Sequence, residues 1–307
     1  MKYMLMLLTI TLSTKLFAAC GLGLTISNVT LPWTNANLSQ QVNFTATRTN
    51  TSGGCRPFFI TMTKGGSSTY SRRLALNSNT LNYNLYKNNS TSFVIKDVLD
   101  QTNANEVISA SFSGSNSTRA VSYYVKMPYI APPTGMYAGG TYSDTYIVKI
   151  FEGNRGNTTI PAYSTSVTVT TIVPKVINIS LVDSGAAYDV LDTSQTLNFG
   201  TLTTGEQQGF DMRVLTNAGF KVSFSSQNNG NLKHASYNSL VSYGLKVNNV
   251  NINLAGSSTT PVDVATGSGI YYATSAPLPV LVTIGNITDK LAGSYSDYIT
   301  VTATTTE

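Results

Sequence analysis

Charge is what this chain has least of. Lys, Arg, Asp and Glu make up 11% of its 307 residues, against about 25% in an ordinary soluble domain. Histidine is nearly missing, with His234 alone, and cysteine occurs twice, at Cys20 and Cys55. His234 stands in Asn231-Leu232-Lys233-His234-Ala235 with no cysteine or carboxylate beside it, so no local triad forms. A surface-loop position is expected for it. Two cysteines and one histidine fall short of a zinc set, and no calcium-loop spacing occurs. The acids Asp97, Asp100 and Glu106 are scattered along the chain. No catalytic residue, metal ligand or cofactor is assigned, and an enzyme is not expected.

Long apolar runs are missing too, apart from the start. Lys2, an apolar run from Met4 to Leu12 and the small pair Ala18-Ala19 have the pattern of a secretory signal peptide over 1–19. That run is too short to span a bilayer. An exported, soluble mature protein is expected. The formal charge of +5 falls on cleavage, because Lys2 and Lys15 leave and no acid does, giving 5 − 2 = +3. Nucleic acid is not an expected partner, since that needs clustered Lys and Arg. Only Arg72-Arg73 forms a basic pair, which reads as a solvated turn.

In an oxidising compartment an even cysteine count favours one disulfide, Cys20 to Cys55. The competing reading takes Leu16-Phe17-Ala18-Ala19-Cys20 as a lipobox with Cys20 acylated, although Phe17 stands where such boxes usually carry Leu.

What is present is a repeat. Gly140-Thr141-Tyr142-Ser143-Asp144 returns as Gly293-Ser294-Tyr295-Ser296-Asp297, an offset of 293 − 140 = 153. Each copy reads as a turn leading into a β-branched strand. Leu81, Tyr83 and Leu85 share one face of a strand, and Val241 to Asn248 repeats that element with Tyr243 and Leu245, an offset of 243 − 83 = 160. Short alternating segments also run from Leu22 to Val29, Gln41 to Thr47, Phe58 to Met62, Val176 to Leu181, Leu197 to Gly200, Phe210 to Leu215 and Phe220 to Phe224. The fold class is therefore all-β, two tandem immunoglobulin-like sandwiches over 20–173 and 174–307, divided near Pro174. No helix longer than a turn or two is expected. After the first copy another strand pattern follows, Ser164 to Ile172; after the second none does. The second sandwich is thus expected to lack its last strand, with Ile177, Ile179, Leu181 and Ile299, Val301, Ala303 flanking an apolar groove.

One connection is unusually apolar for a solvated loop: Met127, Pro128, Tyr129, Ile130, Pro132, Pro133, Met136 and Tyr137. Prolines stiffen it and lower the entropy lost on contact. It reads either as a surface-contact loop or as a hairpin folded onto its own sandwich.

Leu81-x-Tyr83-x-Leu85-Tyr86, the paired Gly-Thr/Ser-Tyr-Ser-Asp strands, Phe199-Gly200 and Cys20 with Cys55 resemble the spore coat protein U-like domain, which also builds archaic chaperone-usher pili. The second copy departs from it by having no cysteine. The resemblance implies a pilus subunit completed by a strand from a neighbour. Its partners would be a periplasmic chaperone, an outer-membrane usher and an adjacent subunit donating an N-terminal strand. With Cys20 tied into the first domain, no spare strand is expected to be donated. A tip adhesin, secreted through the periplasm to the cell surface and serving attachment and biofilm formation, is the expected function. The alternatives are a structural spore-coat-like or fibre protein and a secreted carbohydrate-binding module.

Overall fold

The computed structural model describes residues 20–34, 36–129 and 136–306. The expected signal peptide lies outside these residues, as do Ile130, Pro132 and Pro133. The chain forms two compact units. One holds the chain up to Ala75, Thr80–Tyr129 and Ser143–Thr170; the other holds Leu76–Asn79, the segment ending at Tyr142, and Thr171 onward. Among the described residues helix is limited to two three-residue 3-10 turns, Gly53–Cys55 and Ala104–Glu106.

The strands of the first half are β1 (Gly23–Thr25), β2 (Val29–Leu31), β3 (Leu38–Thr47), β4 (Pro57–Met62), β5 (Arg73–Leu76), β6 (Asn79–Asn82), β7 (Asn84–Tyr86), β8 (Ile108–Ser111), β9 (Thr118–Met127), β10 (Gly140–Glu152) and β11 (Tyr163–Val173). They form two sheets, ordered β1-β3-β9-β7 and β2-β11-β10-β4-β8, with β5 and β6 appended to the second. Alternation places every second side chain of β9 inward: Val121, Tyr123, Val125 and Met127 are buried. Phe44 meets Tyr123 edge-on at 5.8 Å between centroids, and Phe59 stacks on Phe151 at 4.6 Å. Each such ring contributes roughly 1.5–3 kcal/mol by leaving water.

The second half has β12 (Ile177–Val182), β13 (Gln207–Thr216), β14 (Phe220–Ser226), β15 (Asn231–His234), β16 (Leu240–Val247), β17 (Val250–Ile252), β18 (Val262–Gly267), β19 (Leu278–Ile284), β20 (Tyr295–Ser296) and β21 (Ile299–Thr305). Its sheets run β12-β13-β19-β16-β15-β20 and β18-β14-β21, with β17 beside β16. Met212, Val214, Phe220, Val222, Phe224 and Leu245 form the centre of its core.

Strand for strand the sheets correspond. β1-β3-β9-β7 matches β12-β13-β19-β16, and β10-β4-β8 matches β21-β14-β18. Three strand expectations fail: Leu22 to Val29 is split into β1 and β2, the strand of Leu81, Tyr83 and Leu85 is broken at Tyr83 into β6 and β7, each pair in different sheets because the chain crosses between them, and Leu197 to Gly200 forms no strand. That stretch is irregular, although Leu197 and Phe199 still reach the core. Their side chains are placed by burial without ladder hydrogen bonds.

Candidate functional site

The two repeated motifs meet each other in space. The Tyr83 hydroxyl donates to Asp144 Oδ2 at 2.7 Å, and the Tyr243 hydroxyl donates to Asp297 Oδ2 at 2.6 Å. The remaining capacity of each carboxylate is also used. Asp144 Oδ1 accepts from the N–H of Gly66 and of Thr145, both at 2.8 Å, while Asp297 accepts from Ser226 Oγ at 2.6 Å and Asn228 N–H at 3.0 Å. Burial pushes both phenols up, and the carboxylate each one faces raises it further, so both stay protonated donors. The motif glycines have their own reason. Gly140 and Gly293 sit at φ of +142° and +148°, and a Cβ would lie 2.8 Å from Leu76 Cδ2 in one case and 2.1 Å from His234 Nε2 in the other.

This places His234 where Leu76 stands in the other half. The expected surface histidine is in fact buried. Its Nδ1 accepts from the N–H of Ser236 at 3.0 Å and Tyr237 at 3.2 Å, which leaves the proton on Nε2, 3.1 Å from Ala292 O. The rings of Tyr237 and Tyr295 lie 5.0 Å away on either count. With both nitrogens engaged it has no lone pair left for base catalysis. Among the described residues no cluster of three His, Cys, Asp or Glu side chains could hold a metal.

From this clamp runs β21, and here the halves diverge. β10 pairs β4 on one side and β11 on the other; β21 pairs β14 and, among the described residues, has nothing beyond it. Tyr146, Val148 and Ile150 on β10 are completely buried, whereas their counterparts Ile299, Val301 and Ala303 are only half-buried against the core. Ile177 and Ile179 on β12 are half-buried as well. Leu181 corrects the expectation. It is buried, its N–H donates to Asp192 O at 2.7 Å, and its carbonyl accepts from Gln195 Nε2 at 3.0 Å. The segment after β12 covers that end, so the exposed apolar strip is Ile177, Ile179, Ile299, Val301 and Ala303.

The contact loop is also narrowed. Met127 is buried as the last inward residue of β9, because strand alternation continues through it. It presents no surface. Pro128 and Tyr129 are exposed, Met136 and Tyr137 are half-buried, and the Tyr129 N–H donates to Asn37 Oδ1 at 2.8 Å.

Cys20 and Cys55 are joined by a disulfide with Cα atoms 5.3 Å apart, so Cys20 is not a free, acylated residue. The Spore Coat Protein U domain matches residues 6–149. The first half is thus similar to a spore coat protein U domain. The match stops short of β11, which therefore lies outside the spore coat protein U segment. No curated protein matches the sequence. Solved structures similar to the chain include a chaperone–tip adhesion subunit pre-assembly complex of archaic Csu pili from Acinetobacter baumannii, at 17% identity and TM-score 0.36 over 92% of this chain and 99% of that one. Another is the CupB6 tip adhesin of Pseudomonas aeruginosa, at 12% identity and TM-score 0.40 over 92% and 95%. A third is the CFA/I adhesive subunit CfaE of enterotoxigenic Escherichia coli, at 13% and 0.35 over 94% and 79%.

Sequence reading named the edge residues but missed the Tyr–Asp ties that hold the strand entry in place. A signal existed: both motifs recur, at offsets of 153 and 160, so each tyrosine had a partner aspartate in the same order. No helix among the described residues is long and apolar enough to cross a membrane.

Proposed function

We propose that the chain is the tip adhesin of an archaic chaperone-usher pilus, anchored through its second half by a strand taken from a neighbouring subunit. The observation that carries this is the outer edge of β21, unpaired among the described residues where β10 has β11. An edge of this kind presents a row of backbone donors and acceptors above an apolar strip, and it invites another chain. Strand addition satisfies both the ladder and the side-chain face. The spore coat protein U match supports the reading, because β11 is an addition to the matched segment and the second half repeats the set without it. A periplasmic chaperone covers the strip formed by Ile177, Ile179, Ile299, Val301 and Ala303 during export. At an outer-membrane usher it gives way to the adjacent subunit's N-terminal strand. The first half, closed by its own β11, needs no donor. Pro128, Tyr129, Met136 and Tyr137, with Ile130, Pro132 and Pro133, are the contact residues for attachment and biofilm formation at the pilus tip.

The test supplies the strand. In β11 the inward residues are Val167, Val169, Thr171 and Val173, all buried. A copy of Tyr163–Val173 is fused after Glu307 of the full-length chain through a flexible linker. The melting transition of the second half should rise by about 20 °C or more, the scale of several kcal/mol in a domain of this size, and the β21 amides should gain hydrogen-exchange protection. Unchanged melting together with unchanged β21 exchange removes the acceptor edge and the pilus reading with it.

A further inference from the structure

Arg72 and Arg73 do not behave as the solvated turn their sequence suggests. They are neighbours at the start of β5 and face opposite ways: Arg72 is fully buried, and Arg73 is exposed. The Arg72 guanidinium spends its donors on the carbonyls of Met62, Thr63 and Ile95 and on Asn84 Oδ1, with no carboxylate in direct contact. Its charge is thus carried into the interior without an ion pair. Above it lies an open cavity of about 330 Å³, lined by Ser71, Arg72, Arg73, Asn82, Tyr83, Asn84, Tyr86 and Pro128. The volume is at the small end of ligand pockets.

We infer that this cavity binds the carboxylated ring of an acidic sugar, a hexuronic or sialic acid residue at the end of a glycan. The lining contains two arginines and no acid. Asp144, the partner of the lining Tyr83, is saturated by Tyr83, Gly66 and Thr145; Asp97 and Asp100 are held by Lys149 and Lys64. The Arg73 guanidinium has no hydrogen bond or ion pair among the described residues, and it offers the planar fork that matches a carboxylate. Asn82 and Ser71 are exposed at the rim and supply donors and acceptors for ring hydroxyls. The half-buried Tyr86 gives an aromatic face for the apolar side of a pyranose, and the Lys126 ammonium, 5.8 Å from that ring's centroid, adds to the positive field. The positive field selects the acidic sugar over a neutral one, and the aromatic face and hydroxyl partners select it over a bare anion. Every residue of the cavity lies in the first unit, so the inference stands or falls independently of strand acceptance by β21.

The experiment titrates the full-length exported protein with D-glucuronate, N-acetylneuraminate, D-glucose and inorganic phosphate, following backbone amide shifts of Ser71, Asn82 and Tyr86. One or both acidic sugars should bind, with glucose and phosphate about tenfold weaker or more. Arg73→Gln should weaken the acidic sugar by at least about tenfold, the loss of one charge-assisted contact. Tyr86→Ala should weaken it without restoring equality with glucose. Arg119→Gln, on the exposed start of β9 and outside the cavity, should change nothing. No shift with either acidic sugar, glucose as tight as glucuronate, phosphate as tight as glucuronate, or full binding by Arg73→Gln overturns the inference.

Discussion

Among the described residues the two halves repeat one order of strands, and they differ at one edge: β10 has β11 beside it, where β21 has no strand. At matched positions the first half has Tyr146, Val148 and Ile150 buried, with β11 beside their strand, and the second has Ile299, Val301 and Ala303 half open. The clamps at the strand entries are alike, Tyr83 on Asp144 and Tyr243 on Asp297, yet the first pair is buried and the second only half-buried. The difference teaches that strand position and strand burial are set separately. The Tyr–Asp tie and the motif glycine place the strand; a further strand beside it removes the side chains from water.

The comparison can be sharpened by perturbing one half and watching the other. The largest effect belongs to the disulfide, which closes a separation of 35 residues in the first half and has no counterpart in the second. Cys20→Ser with Cys55→Ser should destabilise the first half by about 4 kcal/mol in the chain-entropy model, read as a lower denaturation midpoint for that half alone. An equal shift in both halves would break the view that they unfold as separate units.

Next come the ties. Tyr83→Phe strands a buried carboxylate lone pair and should cost about 2–3 kcal/mol, whereas Tyr243→Phe should cost about 1–2 kcal/mol, since water reaches Asp297 and Ser226 still donates to it. Urea titrations of both variants check the order. A larger loss from Tyr243→Phe would mean that the second clamp is the drier one.

The smallest effect is an acid dependence of the first half. Burial would raise the Glu106 carboxyl, but the Lys96 ammonium at 2.6 Å and the N–H groups of Thr102 and Asn103 overcome it and pull the group down to about 2 from an ordinary 4.5. A depressed carboxylate stabilises the fold above its unfolded value and stops doing so as pH falls through the folded one. The first half should therefore lose stability between pH 4.5 and 2, and Glu106→Gln should flatten that slope. A wild-type slope retained in Glu106→Gln would assign the effect elsewhere.

Much of the architecture was legible because the sequence repeats it. Period-two alternation picked out Leu81, Tyr83 and Leu85 as buried, although the expected single strand is broken at Tyr83 into β6 and β7 of different sheets, and the 153-residue offset located β10 and β21. The extra strand pattern after β10 showed in the same way. Less legible was anything decided across sheets. His234 looked solvated because Asn231, Lys233 and Ser236 surround it in sequence; only pairing with β20 brings it under Gly293. Arg72 looked like half of a surface pair because adjacent strand residues share a sequence neighbourhood but face opposite ways. Leu181 looked open because nothing in β12 itself reveals that Asp192 and Gln195 fold back over it.

The burial of His234 has a practical consequence. It is the sole histidine in the chain, and its ring is bonded to Ala292, immediately before the residues that lead into β21. Its imidazole carbon-bound protons therefore give one isolated pair of resonances, flanked by the ring currents of Tyr237 and Tyr295, in a spectrum with no other imidazole to confuse them. Anything that tightens or loosens the root of the edge strand is written into those two line positions.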